Sequence, residues 1–366
     1  MSDTWISYNG VALTLNGYAL VKHTDVLPAK TVRFRFEDPS YDPTQVSGWK
    51  TGSTWTQVSS SPNVWDYYRD NRYWTHEFKD MFTTGSYYVH VVDGDLTGVI
   101  SVSDYIDGGL FEGNTRLRTV ALHGLQDVIT STSSSDKGGI EKAFWGCTNL
   151  TSCSLAGFTG CTRYLFLNCS SLETASFTDF HPTYATMMFK GSSSLVTAPS
   201  FDASGIIETS GMFAECTSLT TVPAYNFGSS LTLMGSMFNH CSSLTSVPVF
   251  NTASVVDMQS IFYGSGIQAT PAWDTGNVAN FSQAFCQCQS LTSIGSLATG
   301  NASNVHYMFW NTRNVQGGAL ALYTQMSTQS IPPATHDDCF YSCGSGNVSG
   351  AAELAQIPTS WGGTMA

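Results

Sequence analysis

The fold class that the sequence predicts is a mostly β, α/β-type solenoid: a parallel-sheet coil, preceded by an antiparallel β domain and closed by a helical cap. Three observations predict it. Phenylalanine recurs at 144, 166, 189, 213, 238, 262, 285 and 309, in steps of 22, 23, 24, 25, 24, 23 and 24 residues. Around it one sentence is repeated, most clearly as Phe213-Ala-Glu-Cys216-Thr-Ser-Leu219-Thr-Thr-Val222-Pro223 and Phe238-Asn-His-Cys241-Ser-Ser-Leu244-Thr-Ser-Val247-Pro248. Residues 5–36, in contrast, carry no such period and alternate apolar with polar, the pattern of half-buried strands.

Taken in order, residues 1–100 read as a β-rich domain suited to docking or covering the coil. Trp5–Tyr8, Val11–Leu15, Tyr18–Val21 and Val32–Phe36 are strand candidates, and Asn9-Gly10 and Asn16-Gly17 are hairpin turns. A polar loop over Glu37–Gly52 leads to an aromatic cluster from Trp55 to Tyr88, and Val89–Val92 is a further strand. The second half of this region has an alternative reading as an N-terminal cap, because an exposed first coil needs covering.

Residues 101–318 are the repeats, opened by Phe111. A Ser/Thr/Gly-rich insertion over Ser131–Gly139 accounts for the long step of 33 residues to Phe144. A period of about 20–29 residues points to leucine-rich-repeat-like coils. Leu219, Val222 and Ala224, like Leu244, Val247 and Val249 or Leu150, Cys153 and Leu155, fit L-x-x-L-x-L. Their alternation places them inward on a short strand and Thr221, Ser246, Ala269 and Ser293 outward. Pro199, Pro223, Pro248 and Pro271 fall in register and mark strand ends, since proline has no N–H to donate. Asp202, Asn226, Asn251 and Asp274 follow as turn residues whose side chains satisfy backbone groups. Cys147, Cys169, Cys216, Cys241 and Cys288, with Ser192 and Ser265, form a ladder of small buried side chains.

Residues 319–366 are the expected cap. Gly318–Met326 suits a short helix, Ile331-Pro-Pro333 breaks it, and Ser349 is placed to N-cap a last helix over Gly350–Gln356.

The Met212–Asn226 and Met237–Asn251 units resemble the BspA-like leucine-rich repeat, also called DUF285, found in bacterial surface proteins and tailed-phage virion proteins. The resemblance covers roughly residues 105–345. The closing stretch, Asn314–Tyr323 with Gly350–Pro358 and Trp361-Gly-Gly363, resembles that of phage members. It implies a non-enzymatic virion protein, a tail-tip or tail-fibre adhesin that binds the host surface. The alternatives are a head or tail decoration protein, a bacterial surface adhesin, or a polysaccharide depolymerase. The implied partners are other virion structural proteins and a host surface glycan or surface protein, and a homo-oligomer stays open.

Composition agrees with a binding or fibre protein. Charged residues make up 11% of the chain and aromatics 13%, and the formal net charge of −12 argues against nucleic-acid binding, which needs a basic stripe. The N-terminus shows no export signal and no apolar run is long enough to span a membrane, so the expected location is a virion assembled in the host cytoplasm. Ten cysteines are then expected to stay reduced.

No nucleotide-binding or nucleophile-elbow motif is present, and no cofactor is expected. His336-Asp-Asp-Cys339-x-x-x-Cys343 is metal-like in spacing but reads as a closing loop. Glu173, Asp179, Asp202, Glu208 and Asp257 are carboxylates near the presumed face, without a recognisable acid pair. The candidate ligand-binding residues are aromatic. Phe201, Tyr225, Phe250 and Trp273 form a ladder that points outward if alternation continues through proline and inward if the strand ends there. Trp310 and Arg313 add a second cluster of the residue types that anchor interfaces.

Overall fold

A computed structural model describes residues 27–46, 49–59, 61–74, 77–79, 82, 88–104, 108–128 and 139–365, with six short strands between 4 and 22. Those six pair among themselves, all antiparallel. β1 (Thr4–Trp5) joins β6 (Val21–Lys22), β2 (Ser7–Tyr8) joins β3 (Val11–Ala12), and β4 (Thr14–Leu15) joins β5 (Tyr18–Ala19). Tyr8 faces Val11 and Leu15 faces Tyr18, the register of two-residue hairpins. The Asn-Gly turns themselves and the insertion at 131–138 lie outside the described residues.

One mixed sheet organises the first half of the chain. Its strands are β7 (Thr31–Phe36), β8 (Ser53–Gln57), β9 (Val64–Arg69), β10 (Val89–Asp95), β13 (Leu117–Leu122), β14 (Ser152–Cys161) and β15 (Thr174–Tyr184); between them β11 (Ser103–Asp104) and β12 (Gly108–Gly109) form a separate pair. The seven strands run in the order β15-β14-β13-β10-β7-β9-β8. Neighbours from β10 to β8 are antiparallel and those from β10 to β15 are parallel.

The sheet therefore runs from β8 to β15 across residue 100. The aromatic cluster is the reason. Phe34, Phe36, Tyr67, Trp74 and Phe78 are fully buried, and Phe78 stacks on Phe111 at 4.9 Å, so this region covers the first repeat instead of presenting its rings outward. Of that cluster, Tyr68 and Tyr73 are exposed. Two polar contacts fasten it. Arg33 donates to both oxygens of Asp66, at 2.6 and 2.8 Å, and the fully buried Glu77 accepts from the Tyr67 hydroxyl and from Arg69 at 2.5 Å.

The recurring phenylalanine is a stacked column. From Phe78 through 111, 144, 166, 189, 213, 238, 262, 285 and 309 to Phe340, successive centroids lie 4.9–5.9 Å apart with planes 3–23° from parallel. The column is one ring longer at each end than the period alone indicates. Phe78 stands outside the repeat sentence, and Phe340 follows a step of 31 residues that includes a helix.

Each phenylalanine sits in a run of turns whose alternate N–H groups point to the next repeat. Phe166 donates to the Met188 carbonyl at 2.8 Å, Phe189 to Met212 at 2.8 Å and Phe213 to Met237 at 2.9 Å, while Lys190 and Ala214 close local turns to Met187 and Gly211. Residues two before and two after the ring take left-handed φ, among them Met187 (52°), Glu215 (63°), His240 (57°) and Gln287 (59°). That conformation costs a side-chain-bearing residue roughly 1–2 kcal/mol, which the inter-repeat hydrogen bonds offset.

Beyond β15 the expected continuous parallel sheet is reduced to single bridges. One set joins Tyr184, Glu208, Leu233, Asp257, Asn280, Asn304 and Thr335 in succession, and Thr197 pairs with Thr221 and Ala269 with Ser293. Prolines 199, 223, 248 and 271 remove the donor that would extend the ladder. The third position of L-x-x-L-x-L turns with them. Leu155, on the long β14, is buried, whereas Val249 is 70% exposed and Ala224 is exposed too. Thr221, Ser246, Ala269 and Ser293 face outward as expected.

The closing segment holds α1 (Ala319–Ser327) and α2 (Val348–Leu354). The expected Ser349 N-cap is corrected to Asn347, whose extended backbone (φ −143°, ψ 161°) lets its side chain accept from Gly350 N at 2.8 Å. Glu353 of α2 accepts from Gly318 N at 3.3 Å and Leu320 N at 3.1 Å, placing a carboxylate at the positive end of α1. No helix among the described residues is long and apolar enough to cross a membrane.

Candidate ligand-binding face

The two aromatic sets singled out in the sequence have different fates. Tyr225, Phe250 and Trp273 are buried and Phe201 is half-buried, so the ladder is an internal spine and offers no ring face to a ligand. The polar tips explain the inward turn. The Tyr225 hydroxyl donates to the Pro199 carbonyl at 2.8 Å, and Trp273 Nε1 donates to the Pro248 carbonyl at 2.9 Å, in each case the proline one repeat back. A buried ring with a satisfied tip is stable where a bare one is not.

Trp310 lies instead on the face formed by the turn runs. From Phe144 to Phe340 the slot directly after each phenylalanine of the column holds Trp145, Leu167, Lys190, Ala214, Asn239, Tyr263, Cys286, Trp310 and Tyr341. Small residues there are buried, as Ala214 and Cys286 are, while Tyr263 and Trp310 are partly exposed and Tyr341 is 49% exposed. Backbone bonds hold consecutive slots in line: Gly264 N to Cys286 O at 2.9 Å, Gln287 N to Trp310 O at 2.8 Å and Asn311 N to Tyr341 O at 2.7 Å.

Aromatic contacts then make a patch. Trp310 and Tyr341 lie nearly parallel, 14° apart in plane and 6.1 Å apart in centroid, with Tyr307 also 6.1 Å from Trp310. His306 packs against Tyr307 at 3.7 Å. Gln287 Nε2 donates to the Tyr263 hydroxyl at 2.9 Å, and the exposed Arg313 donates through Nε to Asn311 Oδ1 at 2.8 Å. At the other end of the same face Trp145 meets Tyr164 at 6.5 Å and carries Lys142 Nζ over its ring at 5.3 Å. The structure thus joins Trp310 and Arg313 to Tyr263, Gln287, Tyr307 and Tyr341, which the sequence reading passed over. For Tyr263 and Tyr341 the signal was the slot after the phenylalanine, visible once the period is aligned, and Gln287 and Tyr307 lie two residues from the ring.

Of the carboxylates named above, Glu173 is exposed and the other four are engaged away from this face. His181 sits between Asp179 and Asp202, each 3.0 Å from one ring nitrogen. Its pKa is raised by the hydrogen bond to Asp179 first and that to Asp202 next. Asp202 is pushed far below the usual carboxylate range, chiefly by accepting from Ser204 N. Asp257 accepts from Gln259 N at 2.9 Å, and Glu208 approaches Arg163 at 4.0 Å. Cys339 and Cys343 are buried in the core, and His336 stacks on Trp361 at 4.2 Å, so the metal-like spacing is spent on packing. All ten cysteines are free and buried. Burial pushes thiols such as Cys241 and Cys288 up to about 12.

Comparison with known families places the repeats. Residues 104–220 and 140–268 match the family described as BspA type Leucine rich repeat region (6 copies). Residues 232–329 match the family described as Mycoplasma protein of unknown function, DUF285. No curated protein and no solved structure matches the chain.

Proposed function

We propose, from the match of residues 104–268 to the BspA type leucine rich repeat region and of residues 232–329 to DUF285, that this chain is a non-enzymatic binding protein of a phage virion. In this reading it is a tail-tip or tail-fibre adhesin that attaches the particle to its host. Its repeats form a continuous solenoid, closed at the C-terminal side by α1 and α2. The observation that carries the binding role is the row of half-exposed rings at Tyr263, Trp310 and Tyr341, held in line by a rigid backbone ladder. Rigid aromatic anchors are what interfaces use for affinity, because they bury much area at little entropic cost. The phage assignment draws on the resemblance of the closing stretch to phage members.

Two measurements test it together: antibody labelling of intact particles, and binding of the purified full chain to bacterial cells. Label at the distal tail with saturable cell binding is the expected result. Label over the head lattice without cell binding would make the chain a decoration protein and overturn the adhesin reading.

A further inference from the structure

The charges of this chain are unevenly placed. The whole sequence has 42 charged residues (15 basic and 27 acidic), yet between 216 and 335 only Asp257, Asp274 and Arg313 are charged. That stretch holds most of the aromatic row. Around the rings stand amides and hydroxyls instead: Gln283, Gln287 and Asn311, with the phenols of Tyr263 and Tyr307, all partly exposed. Asp337 and Asp338 enter only with the repeat that carries Tyr341.

We infer that the ligand of this row is a neutral glycan, stacked on Tyr263, Trp310 and Tyr341 and hydrogen-bonded by the flanking amides. The inference rests on the adhesin reading and adds the ligand class. A sugar ring pairs an apolar C–H face with a rim of hydroxyls, and aromatic rings bordered by carboxamides match both halves. An anionic polymer would require several guanidinium or ammonium groups. Arg313 is the one Lys or Arg of this stretch, and its Nε is committed to Asn311 at 2.8 Å. A protein partner draws register and specificity from complementary charge, which a face this neutral does not supply. From Tyr263 to Tyr341 the row spans three repeat steps, on the order of 15 Å at strand-like spacing, the length of a short oligosaccharide.

The test uses the full chain, fluorescently labelled, on a panel of bacterial cells, with periodate-treated, protease-treated and untreated cells compared at low and high salt. Periodate opens vicinal diols and is expected to abolish binding. Protease is expected to leave it intact, and raising NaCl tenfold is expected to change affinity by less than about twofold, because uncharged contacts are not screened. Trp310→Ala and Tyr341→Ala are each expected to weaken binding by about tenfold or more while the thermal midpoint falls by no more than a few degrees. If no cells in the panel are bound, the adhesin reading itself fails. If cells are bound but salt releases the chain, or protease and not periodate removes the receptor, the adhesin reading stands and the neutral-glycan inference is overturned.

Discussion

The thiol of Cys241 donates to the carbonyl oxygen of Phe213, 3.0 Å away and one repeat back. The same bond joins Cys147 to Phe111, Cys169 to Phe144, Cys216 to Phe189 and Cys288 to Phe262. Ser192 makes it to Phe166 at 3.2 Å with an oxygen in place of sulfur. Six of the seven ladder positions thus carry a small donor bonded one repeat back, while the seventh, Ser265, lies 3.7 Å from the Cys288 sulfur instead. Cys241→Ser is expected to cost less than Cys241→Ala, because alanine strands a buried carbonyl, a loss of roughly 1–3 kcal/mol. Urea midpoints of the two variants decide it. An alanine variant as stable as the serine one would make the bond incidental.

Burial and raised pKa make the same thiols inert. Cys241 and Cys288 sit near 12, so at pH 8 almost none is thiolate, and the thiolate is the nucleophile. Thiol counting should find all ten reactive in denaturant and none on the native time scale. Fast labelling of even one ladder cysteine without denaturant would contradict its position in the core.

Leu244, fully buried in the middle of the array, is the site for a core truncation. Leu244→Ala should destabilise by about 2–5 kcal/mol through lost burial and a residual cavity. Hydrogen exchange should rise first in the repeats of Phe213 and Phe262, which stack on either side of Phe238. Uniform loss of protection across the chain would mean that the array melts as one unit.

Much of this architecture was legible in the chain. The period, the inward leucines, the Cys ladder and the helix at 319 follow from spacing and residue type. What was not legible has physical causes. The sequence pattern of Val247-Pro248-Val249 alternates, but proline ends the ladder, and Val249 turns out while Phe250 turns in. Spacing does not tell whether the cluster from Trp55 to Tyr88 docks a partner or covers the first coil, and it is the stacking of Phe78 on Phe111 that shows the covering. The row of half-exposed rings was hidden because its slot tolerates lysine, alanine and cysteine as well as tryptophan, so no single repeat announces it.

The continuity of the sheet across residue 100 changes what a deletion should do. Removing residues 1–26 leaves β7 to β10 in place, and the thermal midpoint of the remainder should hold. Removing 1–100 strips β10 from β13, where Val91 faces Val120, and uncovers Phe111. That truncation should aggregate or bind a hydrophobic dye. A monomeric, cooperatively folding 101–366 would support a domain boundary at residue 100.

His181 links two repeats through charge, and the sign of its pH effect is set by its raised pKa. Its contribution is full below 6.5, its ordinary value, and is lost as pH climbs through the raised value, because neutral imidazole can donate to only one of Asp179 and Asp202. Asp202 acts in the opposite window, with stability present above its ordinary 3.8 and lost as pH falls through its depressed value. Solvent screening keeps the exposed pair below about 1 kcal/mol. The wild-type urea midpoint should fall between pH 6 and 9 by more than that of His181→Asn. Equal slopes for the two proteins would rule out this contact as the source.

The two aromatic rows should separate stability from binding. Trp273 is buried and tied to Pro248 O at 2.9 Å, so Trp273→Ala should cost about 3–5 kcal/mol of stability while the molecules that remain folded bind as before. Trp310 is partly exposed and stacks on Tyr341, itself half in solvent, so Trp310→Ala should cost less than about 1 kcal/mol of stability. If the row is the anchor, the same substitution removes about 2 kcal/mol of binding or more. Differential scanning calorimetry beside a cell-binding isotherm measures both quantities on each variant. Binding lost in Trp273→Ala at full folding, with Trp310→Ala indifferent, would move the ligand to the spine side and refute the assignment of the face.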